Sequence, residues 1–406
     1  MKRRKFLQTA GLVTGGMLLP VGWNSWIVKG VAVPNNRKRL VVIFLRGGID
    51  GLNVVVPHQE ANYYEARPTL AIPYPGEKAG VLDLDGFFGL HPALADLMPL
   101  WKKGSLAFIH CCGSPDETRS HFDAQDYLES GTPGVKKTAD GWMNRLLATL
   151  PQDRPTQALN VGNTTPRILR GSMPVANLSP GKNSISFLHT DKPHISHVFD
   201  PLYDGSDEVS KAYQQGRQAR EIILAQLKAE MMSASRGAPP ANYFVDDAVE
   251  VAKLMVGDAR TQLAFMAIGD WDTHIDQKVH LNQSLQSLGK GLATLVHELG
   301  SIYSDTVIML MSEFGRTVKE NGNGGTDHGR GNVFWLLGGG IRGGKVYGEW
   351  TGLAESQLER GRDLSVTTDF REAIAFVLTQ HLQISTADLR QILPGYQPLG
   401  NFNLLG

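Results

Sequence analysis

The chain has 406 residues, with 40 lysines and arginines against 40 aspartates and glutamates, and only two cysteines. A formal charge of zero provides no field to draw nucleic acid or an acidic membrane surface, so no nucleic-acid partner is expected and any anion binding has to be local. Two cysteines cannot staple a small fold, so stability has to come from a large core, which a chain of this length can build.

The chain begins "MKRRKFLQTAGLVTGGMLLPVGW", a basic start with Arg3 and Arg4 adjacent, followed by a modest apolar stretch. That order resembles a twin-arginine export signal, which is read by the export machinery as an address and is not an anchor. Gly15, Gly16 and Pro20 interrupt the run before it reaches the roughly 20 apolar residues that span a bilayer, so no stable membrane span is expected. The reading divides the chain into a signal segment, 1–32, and a single domain, 33–406, that reaches the periplasm or leaves the cell by the twin-arginine route.

Five short apolar runs follow: "RLVVIFL" (39–45), "SLAFIHC" (105–111), "TQLAFMAI" (261–268), "DTVIMLM" (305–311) and "VFWLLGG" (333–339). They are continuous rather than alternating, the pattern of strands covered on both faces of a parallel sheet. Helical patterns occupy 207–235, 246–257 and 281–303, and "TTDFREAIAFVL" reads as a further helix capped by Asp369. Strands alternating with helices predict an α/β fold with an open, mainly parallel sheet and helices on both faces. The stretch 151–206, rich in proline, glycine and asparagine, reads as a looped insertion or cap. Cys111 and Cys112 are neighbours inside a strand-like run and are poorly placed to bridge each other.

Polar residues recur where the apolar runs end. The first run leads into "RGGIDGLN" with Asp50, and the second, after a loop, into "TRSHFDAQDYLESG" with Ser120 and His121 before a helix. The third ends in "GDWDTH" with Asp270, Asp272 and His274, and the fourth in "SEFGRT" with Glu313; the glycine-rich "GNGGTDHGRGN" then brings Asp327 and His328. Ligands of open α/β sheets bind beyond the carboxyl ends of the strands, so these groups are expected in one crevice. Carboxylates and imidazoles gathered there need a cation. Mixed Asp/His ligands suit zinc or manganese, with calcium a further candidate, and one or two ions are expected. Each residue alone has an ordinary alternative as a turn, cap or packed side chain; the joint pattern at four strand exits points to metal.

The order of an Asp after the first strand, a hydroxyl at a helix start, an Asp-x-x-x-His, an acid after the next strand and a late His resembles the alkaline phosphatase and sulfatase superfamily. More closely, "FLRGGIDGLN", "RSHFDAQDYLESG", "GDWDTH", "SEFGRT" and "GTDHGRGN" resemble a large family of twin-arginine-exported bacterial proteins of unknown function placed within it. The resemblance implies an alkaline phosphatase-like domain in which Asp270, His274 and His328 hold one metal, Asp50 and Glu313 hold a second, and Ser120 is the nucleophile. The superfamily usually has Asp-His where this chain has Glu313-Phe314, which leaves His121, Asp272 or Asp327 to complete or support the metal shell. Arg119 and Arg316 adjoin these positions and suit an anionic ester, small or polymeric. Two functions are implied: a metal-dependent hydrolase of phosphate or sulfate esters at the cell envelope, or a non-catalytic, metal-containing envelope binding protein of the same fold.

Overall fold

The computed structural model describes residues 38–151, 157–162, 164–178, 233–258 and 261–398. The arginine pair, the apolar N-terminal run and nearly all of the helical pattern at 207–235 lie outside the described residues. No helix among the described residues is long and apolar enough to cross a membrane.

The strands are β1 (Arg39–Leu45), β2 (Val55–Val56), β3 (Leu82–Asp83), β4 (Gly89–Leu90), β5 (Leu106–Gly113), β6 (Ala158–Val161), β7 (Ala176–Leu178), β8 (Leu263–Ile268), β9 (Thr306–Met311), β10 (Asn332–Gly338), β11 (Lys345–Tyr347) and β12 (Thr368–Asp369). One sheet runs in the order β11-β5-β10-β9-β1-β8-β6-β7, with β12 also against β5, while β2, β4 and β3 form a small separate sheet. Along the centre, β9, β1 and β8 are parallel, in the register Val41 opposite Ala264 and Ile308. The exception is β10, which runs antiparallel to both β9 and β5. Its run is continuously apolar because it is buried from end to end in mid-sheet. Burial, not strand direction, writes that pattern. The described part of the segment expected to be a looped cap supplies strands instead: β6 pairs with β8 and β7, extending the sheet at that edge.

The longer helices are α1 (His121–Ser130), α2 (Trp142–Thr149), α3 (Phe244–Gly257), α4 (Gln277–Leu299), α5 (Phe370–Phe376) and α6 (Thr386–Ile392). Alternation along β1 divides the core between the two faces of the sheet. Val41, Ile43 and Leu45 pack with α3 and α4, whereas Leu40, Val42 and Phe44 pack with α1, α2, α5 and α6. In α4, Leu281, Leu285, Leu288, Leu292, Leu295 and Leu299 recur every three or four residues and are all buried, each contributing about 1.5–3 kcal/mol of apolar burial. Gly291 lets α3 close on this stripe, since a Cβ there would stand 2.2 Å from the Phe244 ring. Asp369 caps α5 as its sequence suggests, accepting from the Arg371 N–H.

Cys111 and Cys112 are free thiols, and successive residues of β5 send them to different apolar clusters. Burial pushes the Cys111 thiol up to about 12 and Cys112 well above its ordinary range, so neither offers a thiolate.

Two core histidines are tied to the neutral form. His91 Nδ1 accepts the Ala93 N–H at 3.1 Å, and His110 Nδ1 accepts the Cys111 N–H at 3.3 Å while its Nε2 donates to the Val55 carbonyl at 2.9 Å. Burial pushes each down to about 4, the larger influence over the opposing pull of Asp50 and, for His110, of the Val55 carbonyl. A folded-state pKa below the unfolded 6.5 leaves stability intact above pH 6.5. As pH falls from 6.5 to 4 the unfolded chain takes up protons that the folded chain refuses, at a cost of roughly 3 kcal/mol for each histidine. His110→Phe, whose ring can keep the stacking on Phe88, should therefore lose less stability than the wild type between pH 7 and 4.5 in urea titrations. Equal losses would mean that His110 protonates in both states.

Candidate metal centre

The site lies where the chain leaves β1, α1's first turn, β8 and β9. After β1 the turn passes through Gly47 (φ 122°) and Gly48 (φ 64°), and no side chain fits at either. A Cβ on Gly47 would stand 2.5 Å from the Asp272 nitrogen, and one on Gly48 2.7 Å from the Phe314 ring. The two glycines thus let three strand exits close together.

Three imidazoles converge there. His328 Nε2 is 2.9 Å from His121 Nε2 and 2.9 Å from His274 Nε2. Asp272 stands at the same point, its Oδ1 3.1 Å from His274 and 3.5 Å from His328, and its Oδ2 3.4 Å from His121. The outer nitrogen of each ring faces an acceptor. His121 Nδ1 meets Glu313 Oε1 at 2.7 Å, His274 Nδ1 meets Asp327 Oδ1 at 3.2 Å, and His328 Nδ1 meets the Arg119 carbonyl at 3.0 Å. Carboxylate and carbonyl oxygens only accept, so each Nδ1 carries a hydrogen and the three Nε2 atoms are turned inward. Phe314, where the resemblance expects a histidine, packs its ring on His121 and His328, at centroid distances of 4.8 and 5.0 Å.

The carboxylates at this focus are held in their charged form. Burial raises the Asp272 carboxyl, but Arg316 and the three imidazoles hold it well below the usual carboxylate range. Glu313 is lowered to about 2 against the same burial, chiefly by His121. Burial lowers His121, yet Asp272 and Glu313 together lift it to about 9, whereas His328 is lowered by burial and by the neighbouring Arg316 and His121 despite Asp272. The buried Oδ2 of Asp272 accepts no hydrogen bond. Donor atoms of His121, Asp272 and His328 lie within 4.8 Å of one another, and the donor chemistry, imidazole with carboxylate, fits a divalent transition ion.

The expected residues fall into three groups. His274 and His328 meet at the focus, joined by His121 and Asp272, which the sequence offered only as supporting groups. Glu313 and Asp327 stand behind imidazoles. Asp50 and Asp270 are elsewhere. Both Asp50 oxygens face Arg67, at 2.6 and 3.0 Å, and Gln277 Nε2 donates to it as well, so its lone pairs are committed within a fully buried network. Asp270 sits at φ 68°, a left-handed turn, with its N–H given to Ser235 Oγ at 3.0 Å; burial raises its carboxyl while His280 and Ser235 oppose. The two proposed anion ligands differ: Arg316 is committed, while Arg119 is held through one nitrogen and its Nε has no hydrogen-bond partner. Arg316 is buried and spends its guanidinium on the carbonyls of Gly47, Gly48, Trp271 and Thr326 and on Asp272, and Arg119 is paired with the buried Asp363. Ser120 is exposed and caps α1, its Oγ 3.5 Å from the Asp123 N–H.

The sequence reading did not single out Gln125, Glu129, Arg67 or Gln277, all fully buried and all bonded into this region. His121, Gln125 and Glu129 recur at four-residue spacing on α1, a periodicity visible in "HFDAQDYLE".

A family model described as "Protein of unknown function (DUF1501)" matches residues 37–393. No curated protein matches the chain in sequence. Among solved structures, the chain is similar to Ps i-CgsB in complex with k-i-k-neocarrahexaose (11% identity, 87% of this chain and 74% of that one, TM-score 0.41). It is also similar to the lipoteichoic acid synthase LtaP from Listeria monocytogenes (10%, 82% and 75%, TM-score 0.40) and to a protein in the alkaline phosphatase superfamily from Vibrio parahaemolyticus (10%, 77% and 62%, TM-score 0.37).

Proposed function

The chain belongs to the DUF1501 family, and from that premise we propose that it is an exported, metal-dependent hydrolase of phosphate or sulfate esters working at the cell envelope. The observation that carries the metal is the convergence of three Nε2 atoms whose Nδ1 partners are all acceptors. His121, His274, His328 and Asp272 would hold one divalent ion, with zinc the best match to this donor set and manganese the next. When bound, the ion supplies Lewis-acid chemistry and a local positive charge. A second ion finds less support, because Asp50 is committed to Arg67 and Glu313 to His121.

The ester reading is supported by the exposed Ser120 hydroxyl beside His121, at the amino end of a ten-residue helix whose first amides favour an anion. Ser120 is assigned as the nucleophile on this ground and on its place as a hydroxyl at a helix start, the feature that resembles the superfamily's pattern. Its capping bond, at 3.5 Å, is at the long limit for a hydrogen bond. One observation favours the alternative of a non-catalytic envelope binding protein with the same metal: Arg316, which would grip an ester anion, is buried and wholly engaged within the protein.

Protein purified without chelator should contain about one zinc or manganese per chain, and a panel of aryl phosphates and sulfates should reveal turnover. Ser120→Ala should then lower that turnover by ~10³-fold or more, with metal content unchanged and stability reduced by no more than about 1 kcal/mol, as for a lost cap. Turnover retained in Ser120→Ala would remove the nucleophile from the mechanism. Metal-replete wild type inert on the whole panel would leave the binding-protein reading.

A further inference from the structure

Resting on the metal reading above, we infer that Gln125 is a positioning residue that aims His121 at the metal through Glu313. The inference starts from how Glu313 is held. Its Oε1 accepts three hydrogen bonds, from the Gly47 N–H at 2.8 Å, His121 Nδ1 at 2.7 Å and Gln125 Nε2 at 2.8 Å. Its Oε2 faces Ser312 Oγ, at 3.1 Å. Two of the donors on Oε1 are therefore fixed groups, and they place that oxygen where the third, His121, has to meet it.

Gln125 is able to do this because its own amide cannot turn over. Its Nε2 also donates to the Ala234 carbonyl at 2.7 Å, and its Oε1 accepts from Arg46 Nη1 at 2.5 Å. Reversing the amide would set oxygen against two acceptors and nitrogen against a guanidinium. Arg46 is itself fixed by Glu129 at 2.7 Å, and Glu129 Oε2 accepts the Ile168 N–H at 2.9 Å. The result is one buried chain, Ile168 to Glu129 to Arg46 to Gln125 to Glu313 to His121, in which each group has a single workable orientation. His121, Gln125 and Glu129 lie on one face of α1, so the helix that carries the metal ligand also carries the parts that aim it. Nothing in the fold alone requires this polar seam; apolar side chains at 46, 125 and 129 together would pack the same helix face with no buried ion pair there.

A positioning role acting through Glu313 predicts coupling. Gln125→Met keeps the volume and removes all three bonds; Glu313→Gln removes the charge that holds the His121 Nδ1 hydrogen. Zinc affinity of the full chain, read by competition with a chromophoric chelator, should fall about 10- to 100-fold in each, the range for loss of an outer partner of a metal ligand. The double variant should be no weaker than Glu313→Gln alone, and cobalt bound in place of zinc should change its visible spectrum in both single variants. Melting of the metal-free proteins checks that each variant is folded, and Gln125→Leu serves if Gln125→Met is not. Wild-type zinc affinity in a folded Gln125 variant, or strictly additive losses, would overturn the inference while leaving the metal reading in place. Wild type that binds no zinc would overturn both.

Discussion

Arg67→Met should destabilise the fold by about 3–5 kcal/mol, the range for removing one partner of a buried ion pair. Asp50 and Arg67 are both completely buried, and the guanidinium also donates to Asn53 Oδ1 and to the carbonyls of Thr317 and Val318. Without it Asp50 keeps only Gln277 as a donor, and a desolvated carboxylate with one amide partner has to take up a proton or admit water. Adding Asp50→Asn to Arg67→Met should recover a large part of the loss, since an uncharged amide has far less solvation to forfeit. Urea denaturation at pH 7 measures both. A loss below about 1 kcal/mol for Arg67→Met would show that Asp50 draws its compensation from a cation instead, and would return it to the list of metal ligands.

The second large effect is expected at His328, the imidazole that stands within 2.9 Å of both its companions. His328→Ala should weaken zinc binding by more than the ~100-fold that loss of an outer partner costs, because a donor to the ion itself is removed. The consequence for stability follows from mass action. Zinc at a thousand times its dissociation constant adds about 4 kcal/mol to a native state that alone binds it. The wild type should thus melt at a markedly higher temperature with zinc than after chelation, and the variant should show almost none of this difference. A zinc-dependent rise of the same size in His328→Ala would place the ion elsewhere in the chain.

What could be read before the fold was known, and what could not, divides along physical lines. The apolar runs at 39–45 and 305–311 became β1 and β9 almost residue for residue, because a strand buried on both faces has little freedom in composition. That His274 and His328 come together was legible for a similar reason: an imidazole at a strand exit beside acids has few roles. The choice between Asp270 and Asp272 was not legible. It depends on a left-handed turn at Asp270 and on Arg316, which lies 44 residues further along the chain. The pairing of Asp50 with Arg67 was not legible either, because Arg67 sits in a stretch with no pattern of its own, 17 residues away. Gln125 and Glu129 show the opposite difficulty. Their spacing was visible, but polar residues four apart on a helix ordinarily face water, and only tertiary packing turns that face inward.

Because β10 runs against its neighbours, the chain leaving β9 never has to cross a face of the sheet before it returns. Glu313, Phe314, Arg316, Asp327 and His328 consequently sit on one uninterrupted rim segment between two central strands. In terms of descent, such a segment is a cassette: insertions, deletions or exchanges within it can rewrite the charge and reach of the site without disturbing a strand pairing. The backbones that carry His121 and His274 belong to α1 and to the β8 exit and would stay where they are, while the aim of each ring would follow its partner in the segment, Glu313 or Asp327. A lineage built on this sheet can therefore gain, alter or lose a chemistry by drift in one loop, while its core remains unchanged and keeps the family recognisable.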